Sequence, residues 1–383
     1  MPDTENLNQW IEIDAEAYLH NLRFFRNLVG TRELCAVIKA NAYGHGIDEI
    51  SRLARDSGMV DSFGVHTLDE AHRLSGLGMD VLIMGYTPAA RLKEVVEQGF
   101  RQVVYDEETL KTLDRIGLET GRKARVHLKV ETGTNRQGTT GAELRKLLEI
   151  LRDGGGVAGE GIYTHFANIE DTTRHDYARR QMEEFESVVE ETRSMGLNFP
   201  LVHSACSAAV LLFPGTWGNM VRLGISQYGL WPSRETLLSY QLEHRVNTAG
   251  ILKPVLSWKC RISQIKNVTA GSRIGYGCTY LTTRPTKLAV LPVGYWDGYD
   301  RALSHVGYVL VNGRRAQVRG RVCMNLVMVD VTDIENVKKE DEVVLLGCQG
   351  DDVIAADDLA AMIGTINYEV TARLRREIPR IVV

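Results

Sequence analysis

CAVIKANAYGHGIDEISRLARD, residues 35–56, sets the pattern for the first two-thirds of this 383-residue chain. Cys35–Ile38 is a short apolar run of the kind that forms a buried strand, and Asp48–Asp56 then shows apolar residues at helical spacing. The stretch therefore reads as one strand–helix unit. Similar apolar runs follow at Phe63–His66, Val81–Met84, Gln102–Tyr105, Arg125–Val130, Gly161–Thr164, Leu201–Ser204 and Val221–Ile225. Amphipathic stretches lie between them, among them Leu68–Leu77, Ala89–Gln98 and Asp176–Met195. Thr67 followed by Glu70 is a capping-box signature, and Pro88 suits a helix start.

Eight strands alternating with helices predict an α/β fold, a (β/α)8 TIM-type barrel. A doubly wound open sheet is the alternative, because repeated strand–helix units fit both. No GxGxxG follows the first strand, which speaks against a dinucleotide-binding domain. Beyond about residue 245 helical patterns largely vanish. Leu256–Val268, Thr286–Pro292, Tyr308–Val311, Gln317–Val331 and Glu342–Leu346 alternate at period two. Asn312-Gly313 is a hairpin-turn signal, and Ala356–Ile363 suits a short helix. The expected division is a barrel over 1–244 and a mostly β domain over 245–383.

With 44% hydrophobic and 25% charged residues, the composition is that of a globular protein with a sizeable core. A net charge of −4 offers no general attraction for nucleic acid. The local basic cluster of Arg314, Arg315, Arg319 and Arg321 reads as the polar face of strands. No basic-then-apolar leader is visible at the N-terminus, and no apolar run approaches the roughly 20 residues of a membrane span. The expected location is the cytoplasm, with no membrane or nucleic-acid partner. Six cysteines, at 35, 206, 260, 278, 323 and 348, show no CxxC and no histidines at metal-site spacing. They are expected to be free thiols, with no metal site.

Working residues of a parallel barrel lie where its strands end. The polar residues following the candidate strands are Lys39 with Asn41 and Tyr43, Lys129 to Arg136, Tyr163 and His165, Ser204 to Ser207, and Arg222 with Gly224. Any one of them alone would be an ordinary rim residue; convergence on one rim points to a site. Lys39, directly after an apolar strand, should be partly desolvated, which favours the neutral amine that attacks carbonyls.

AVIKANAYGHG at 36–46 closely resembles the cofactor-lysine motif of the alanine racemase family. The resemblance continues in order along the chain. It passes through KVETGTNRQG (129–138), GIYTHFA (161–167), HSACSAA (203–209) and NMVRLGISQYG (219–229), then RIGYGCTY (273–280), LPVGYWDGY (291–299), GRVCMN (320–325) and INYEV (366–370). It implies a barrel with a C-terminal β domain, assembled as a homodimer whose active sites are shared between subunits. It also implies pyridoxal 5'-phosphate as cofactor and interconversion of L- and D-alanine, supplying D-alanine for bacterial peptidoglycan.

Residue by residue, the resemblance gives Lys39 covalent attachment of the cofactor and then the role of base on one face of the substrate Cα. Tyr276 is the opposing base, contributed by the neighbouring subunit. Arg222 faces the pyridine nitrogen and His165 links it toward the tyrosine. Ser207, the backbone of Gly224 and Ile225, and the hydroxyls of Tyr43 and Tyr368 are placed on the phosphate, with Tyr163 also lining the cofactor. Arg136 and the Met324 backbone N–H meet the substrate carboxylate. Tyr295 stands at the entrance, and Lys129 can be carbamylated in relatives. Cys206, Asn325 and the polar TGTNRQG run with Asn135 and Gln137 depart from the family pattern. They bear on substrate range, leaving a broad-specificity, serine or basic amino-acid racemase as the alternative.

Overall fold

The computed structural model describes residues 4–383, which form two compact units. One is built from Tyr18–Ala40 and Ile50–Lys253. The other comprises Asn41–Glu49, Pro254–Val383 and the N-terminal segment ending at Ala17. The sequence reading placed the division at 244 and gave everything before it to the barrel. Part of the difference comes from a strand it did not register. Gln9–Ile13 pairs antiparallel with Leu256–Arg261 and parallel with Arg380–Val382, burying Trp10, Ile11 and Ile13 in the β unit.

In the first unit eight parallel strands follow one another around a nearly closed barrel. Their spatial order is Leu201–His203, Val157–Tyr163, Ala124–Lys129, Arg101–Val104, Asp80–Ile83, Ser62–Val65, Glu33–Val37 and Met220–Leu223. At the remaining seam two backbone bonds bridge the outer strands: Asn219 N–H to Val202 O at 3.1 Å and Arg222 N–H to Ala205 O at 3.0 Å. This is the barrel of the two architectures the strand–helix pattern allowed.

Ala124–Lys129 shows how sequence builds both faces of the wall. Val126, Leu128 and Val130 pack against Leu110 and Leu113 of helix Glu107–Thr120, and against Leu144 and Leu147 of helix Gly141–Asp153. Side chains alternate along a strand, so Arg125, His127 and Lys129 take the opposite, interior face. They mark three successive layers. At the strand beginnings Arg125 and Arg101 interleave with Asp80, Glu160 and Glu33. Glu160 joins this network as the extra residue of a bulge, since Val126 pairs with Gly159 and His127 with Gly161.

The β unit is a mostly antiparallel sheet. From one edge it runs Gln264–Val268, Thr286–Leu291, Val327–Asp330, Arg314–Val318, Tyr308–Val311, Glu342–Gln349, Leu256–Arg261, Gln9–Ile13 and Arg380–Val382. Asn312 and Gly313 have φ of 50° and 72° and close a two-residue hairpin, with Val311 opposite Arg314. Arg314 and Arg315 are exposed while Ala316 and Val318 are buried, so the basic cluster is a strand's polar face here. The long alternating run 317–331 is broken by a loop before Val327–Asp330. Helix Ala356–Ile363 matches its expected bounds. Among the described residues no helix is long and apolar enough to cross a membrane.

Candidate active site

Lys39 begins a turn directly after strand Glu33–Val37. Ala40, Asn41, Ala42 and Tyr43 then have φ of 53–54°, a left-handed turn of four non-glycine residues. Each such residue costs about 1–2 kcal/mol, so the turn exists only where contacts enforce it. Glu70 holds its beginning: one carboxylate oxygen accepts from Ala40 N–H at 2.6 Å, the other from His66 N–H at 2.8 Å and Thr67 N–H at 3.1 Å. The capping box read from the sequence is thus present, and its glutamate also fixes the backbone beside Lys39. Gly44 follows at φ 87°, where a Cβ would overlap the Thr371 carbonyl. Burial, and then the Arg136 charge, lower the Lys39 pKa against the opposing pull of Glu70. The amine is shifted toward its nucleophilic, neutral form.

Arg222, on strand Met220–Leu223, is 3% exposed. Its guanidinium donates to Thr164 O at 3.0 Å and Ser204 O at 2.9 Å. It also meets His203 Nδ1 at 2.6 Å and His165 Nδ1 at 3.2 Å. The Tyr163 ring lies 4.9 Å from its central carbon and stacks on His203, with centroids 4.7 Å apart and planes 1° from parallel. Every acceptor is neutral, so Arg222 is not the rim salt bridge that a barrel arginine usually makes. A guanidinium only donates, which fixes both imidazoles: His203 and His165 present the bare Nδ1 and carry their proton on Nε2. Burial first, then Arg222, hold both histidines well below the ordinary imidazole pKa, so they are neutral.

Lys129 extends from the next layer of the wall, with Nζ 5.5 Å from the Tyr163 ring and 3.4 Å from Gln137 Oε1. Gln137 in turn donates to Tyr105 OH at 3.2 Å. Burial, followed by the Arg136 and Arg222 charges, brings the Lys129 amine down to about 8. Lys39, Lys129, Arg136 and Arg222 together make this rim electropositive, and a ligand that settles there has to bring negative charge. Ser207 Oγ accepts from Gly224 N–H at 2.9 Å and Ser226 N–H at 3.3 Å, which leaves its own hydroxyl proton to donate. Burial pushes the Cys206 thiol up to about 11, away from the reactive thiolate form.

The β unit carries the other expected residues. The rings of Tyr43 and Tyr368 are neighbours, with centroids 6.1 Å apart. Tyr276 is 74% exposed on a turn between Arg273–Ile274 and Tyr280–Leu281, two-residue strands that pair with each other. Gly275 and Gly277 flank it at φ 71° and 70°. Tyr295 N–H bonds to Cys323 O and Trp296 N–H to Met324 O, both at 3.0 Å, so the Tyr295 and Met324 loops are one assembly. Gly294 permits that approach, because a Cβ there would overlap the carbonyls of Cys323 and Met324.

The barrel rim thus brings together Lys39, Lys129, Arg136, Tyr163, His165, Ser207, Arg222, Gly224 and Ile225, while Tyr43, Tyr276, Tyr295, Met324 and Tyr368 belong to the β unit. Sequence reasoning missed Glu70 as a partner of the lysine turn, and gave no role to His203 or His127. A signal for His127 was present: it alternates in phase with Arg125 and Lys129 on one strand.

Comparison with known proteins identifies the family. Residues 13–232 match the model for the alanine racemase N-terminal domain and residues 255–382 that for its C-terminal domain. An alanine racemase of Leptospira interrogans is 41% identical over all of this chain and 97% of its own length. The structure of alanine racemase from Streptomyces coelicolor superposes with a TM-score of 0.91 at 30% identity, covering 99% of each chain. That of Bacillus anthracis with bound L-Ala-P gives 0.90 at 31% identity, over 98% of this chain and 95% of the other. The chain belongs to the alanine racemase family.

Proposed function

We propose that the protein interconverts L- and D-alanine with pyridoxal 5'-phosphate, as a homodimer in which Tyr276 of the partner subunit faces Lys39. The observation that carries this reading is the buried, donor-only Arg222 without a carboxylate partner. The donor set fits the cofactor. Lys39 would bind its carbonyl carbon, Arg222 would face its ring nitrogen and Tyr163 would line the ring. The Ser207 hydroxyl, the Gly224–Ile225 backbone, Tyr43 and Tyr368 would hold its phosphate. When bound, the cofactor supplies an electron-withdrawing ring that acidifies the substrate Cα–H.

The chain's own groups then decide which reaction follows. Racemisation removes a proton from one face of Cα and returns one to the other, so two bases flank the carbon: Lys39 Nζ and Tyr276 Oη of the partner subunit. Phenols are weak bases near neutrality. His165, with its proton fixed on Nε2, can donate to the phenolic oxygen and stabilise its anion. Arg222, a donor that does not give up its proton, would leave a bound ring a modest electron sink. Arg136 and the Met324 N–H would hold the substrate carboxylate, and Tyr295 would stand at the entrance.

Lys129 has a further assignment. With an amine pKa of about 8, roughly a tenth is neutral at pH 7. Attack on carbon dioxide forms an N–C bond, releases one proton and leaves a carbamate anion that would pair with Arg136. D-Alanine made in this way would serve peptidoglycan assembly, and we assign the reaction to the cytoplasm. Gln137, in polar contact with Lys129, favours a second reading in which serine or larger amino acids are also accepted.

The deciding experiment measures formation of each D-amino acid from its L-form, with Lys39→Ala as the inactive control. Alanine should exceed serine by about 10–100-fold, the scale on which one added hydroxyl is discriminated. Equal rates across the panel would replace alanine racemisation with the broad-specificity reading. Turnover by Lys39→Ala would refute the lysine's role.

A further inference from the structure

His127 lies wholly inside the barrel, one layer below Lys129 on the same strand, and the chemistry above does not use it. Its Nδ1 is 2.9 Å from His203 Nε2, and both rings are fully buried. The direction of this bond is fixed from above. Arg222 donates to His203 Nδ1, so the proton of neutral His203 is on Nε2 and is given to His127 Nδ1. The reverse direction would leave His203 with no proton on either nitrogen. A doubly protonated His203 would set N–H against N–H at Arg222. His127 must therefore carry its own proton on Nε2, and among the described residues that atom is buried with no hydrogen-bond partner.

Burying that N–H without a partner is unfavourable, and an apolar side chain of similar size would avoid it. The polar pair is therefore a poor solution for packing alone, and such violations concentrate at functional sites. Room for it is built in: a Cβ at Gly161 would overlap the His127 ring. Burial first, and then the surrounding guanidiniums, depress both imidazoles far below their ordinary pKa, which removes the charged alternative.

We propose that His127 is a positioning residue for racemisation: by accepting from His203 it locks that ring's tautomer, and so holds Arg222 in place as a pure donor. The proposal rests on the racemase reading for Arg222's role. Through the second arm of the guanidinium it also bears on His165.

The test combines two readouts on the holoenzyme. Nitrogen-15 spectra of histidine-labelled protein, assigned with His203→Asn and His127→Asn, report which ring nitrogen is protonated. The wild type should show His203 with a bare Nδ1 and protonated Nε2, and His127 likewise. His127→Leu removes the acceptor and should lower kcat/KM for alanine about 10–100-fold, the scale of a misplacement of about 1 Å at a reacting centre. His127→Asn, whose carbonyl can take the place of Nδ1, should restore activity to within about threefold of wild type. A His203 proton on Nδ1 in the wild type overturns the proposal, a result that needs no variant to fold. So does equal activity of the Leu and Asn variants. If the expected tautomers were present without D-alanine formation, the racemase reading would fall while the histidine chain stood.

Discussion

Replacing Arg101 by methionine should destabilise the barrel without touching its chemistry. The Arg101 side chain is 7% exposed and reaches three carboxylates, Glu33 at 2.7 Å, Asp80 at 2.7 Å and Glu160 at 3.1 Å. Breaking a buried ion pair by deleting one partner usually costs about 3–5 kcal/mol, because a charge is left stranded. Here Arg125 keeps Asp80 at 2.5 Å and Glu160 at 2.6 Å. Among the described residues Glu33 then retains the Ser62 hydroxyl at 2.7 Å. One carboxylate is stranded rather than three, which places the loss near the lower end, about 3 kcal/mol. At about 2–4 °C per kcal/mol for a body of this size, Tm should fall by about 6–12 °C.

Glu33→Gln in the same background removes the stranded charge and should recover at least half of that drop. Catalysis should stay within about twofold, since Arg101 begins its strand and the catalytic rim is where strands end. The pH dependence has a definite sign. A hydrogen bond from Arg125, opposed by burial and aided by the Arg101 charge, holds the Asp80 carboxyl below its ordinary 3.8. This stabilisation is complete above pH 3.8 and is lost as pH falls through the depressed value. Deleting Arg101 weakens that depression, so Tm of the variant should fall less steeply than wild type below pH 4. Circular-dichroism melting across pH, with kcat measured alongside, tests both parts. A Tm change under 2 °C, or lost activity at unchanged Tm, would refute the assignment of this layer to stability.

Two further outcomes bear on the rim itself. Tyr276→Phe should slow racemisation by about 10²–10⁴-fold while leaving the absorption band of bound cofactor intact. Because the two enantiomers are equal in free energy, kcat/KM must fall equally in both directions. The two-base scheme is therefore read from deuterium uptake at Cα: one enantiomer should still exchange through Lys39, and the other should not. Unchanged racemisation would exclude the tyrosine. For Lys129, the neutral amine needed for carbamylation grows as pH rises through about 8. Carbon-13 bicarbonate should then give a carbamate resonance that Lys129→Ala lacks and that fades below pH 7; its absence at pH 9 would leave Lys129 a plain lysine.

How much of this could be read from residues alone depends on how local each cause is. The capping box at Thr67 and Glu70 and the turn at Asn312-Gly313 are set by neighbours in the chain, and both form as expected. The strand Gln9–Ile13 was invisible, because its partners lie over 240 residues away and five residues give little period to detect. Motif resemblance brought Lys39, Arg222 and Tyr276 forward, and Lys39 and Arg222 do converge with Lys129 and His165. It said nothing of the left-handed turn after Lys39, since Ala and Tyr do not advertise positive φ and a single Asn does not predict four such residues in a row. Nor did it show that Glu70 bonds the amide next to the lysine, a tertiary use of a residue whose local task already explained it.

The barrel strand Ala124–Lys129 brings these threads together. Its outward residues obey the simple rule that apolar side chains meet helices. Its inward residues, Arg125, His127 and Lys129, are three polar groups in a place where a barrel ordinarily stacks branched aliphatics. Each is tolerable only because the layer around it supplies partners: carboxylates for Arg125, His203 for His127, and Gln137 with the Tyr163 ring for Lys129. The ionic layer gains nothing from the rim, and the rim needs no carboxylate from below. What reaches Arg222 from inside the barrel is orientation, carried by the two neutral imidazoles. A proton shared along that chain would blur the donor-only character of Arg222. Holding both rings neutral, with their hydrogen-bond direction set by the arginine, keeps the guanidinium's role unambiguous at the centre of the site.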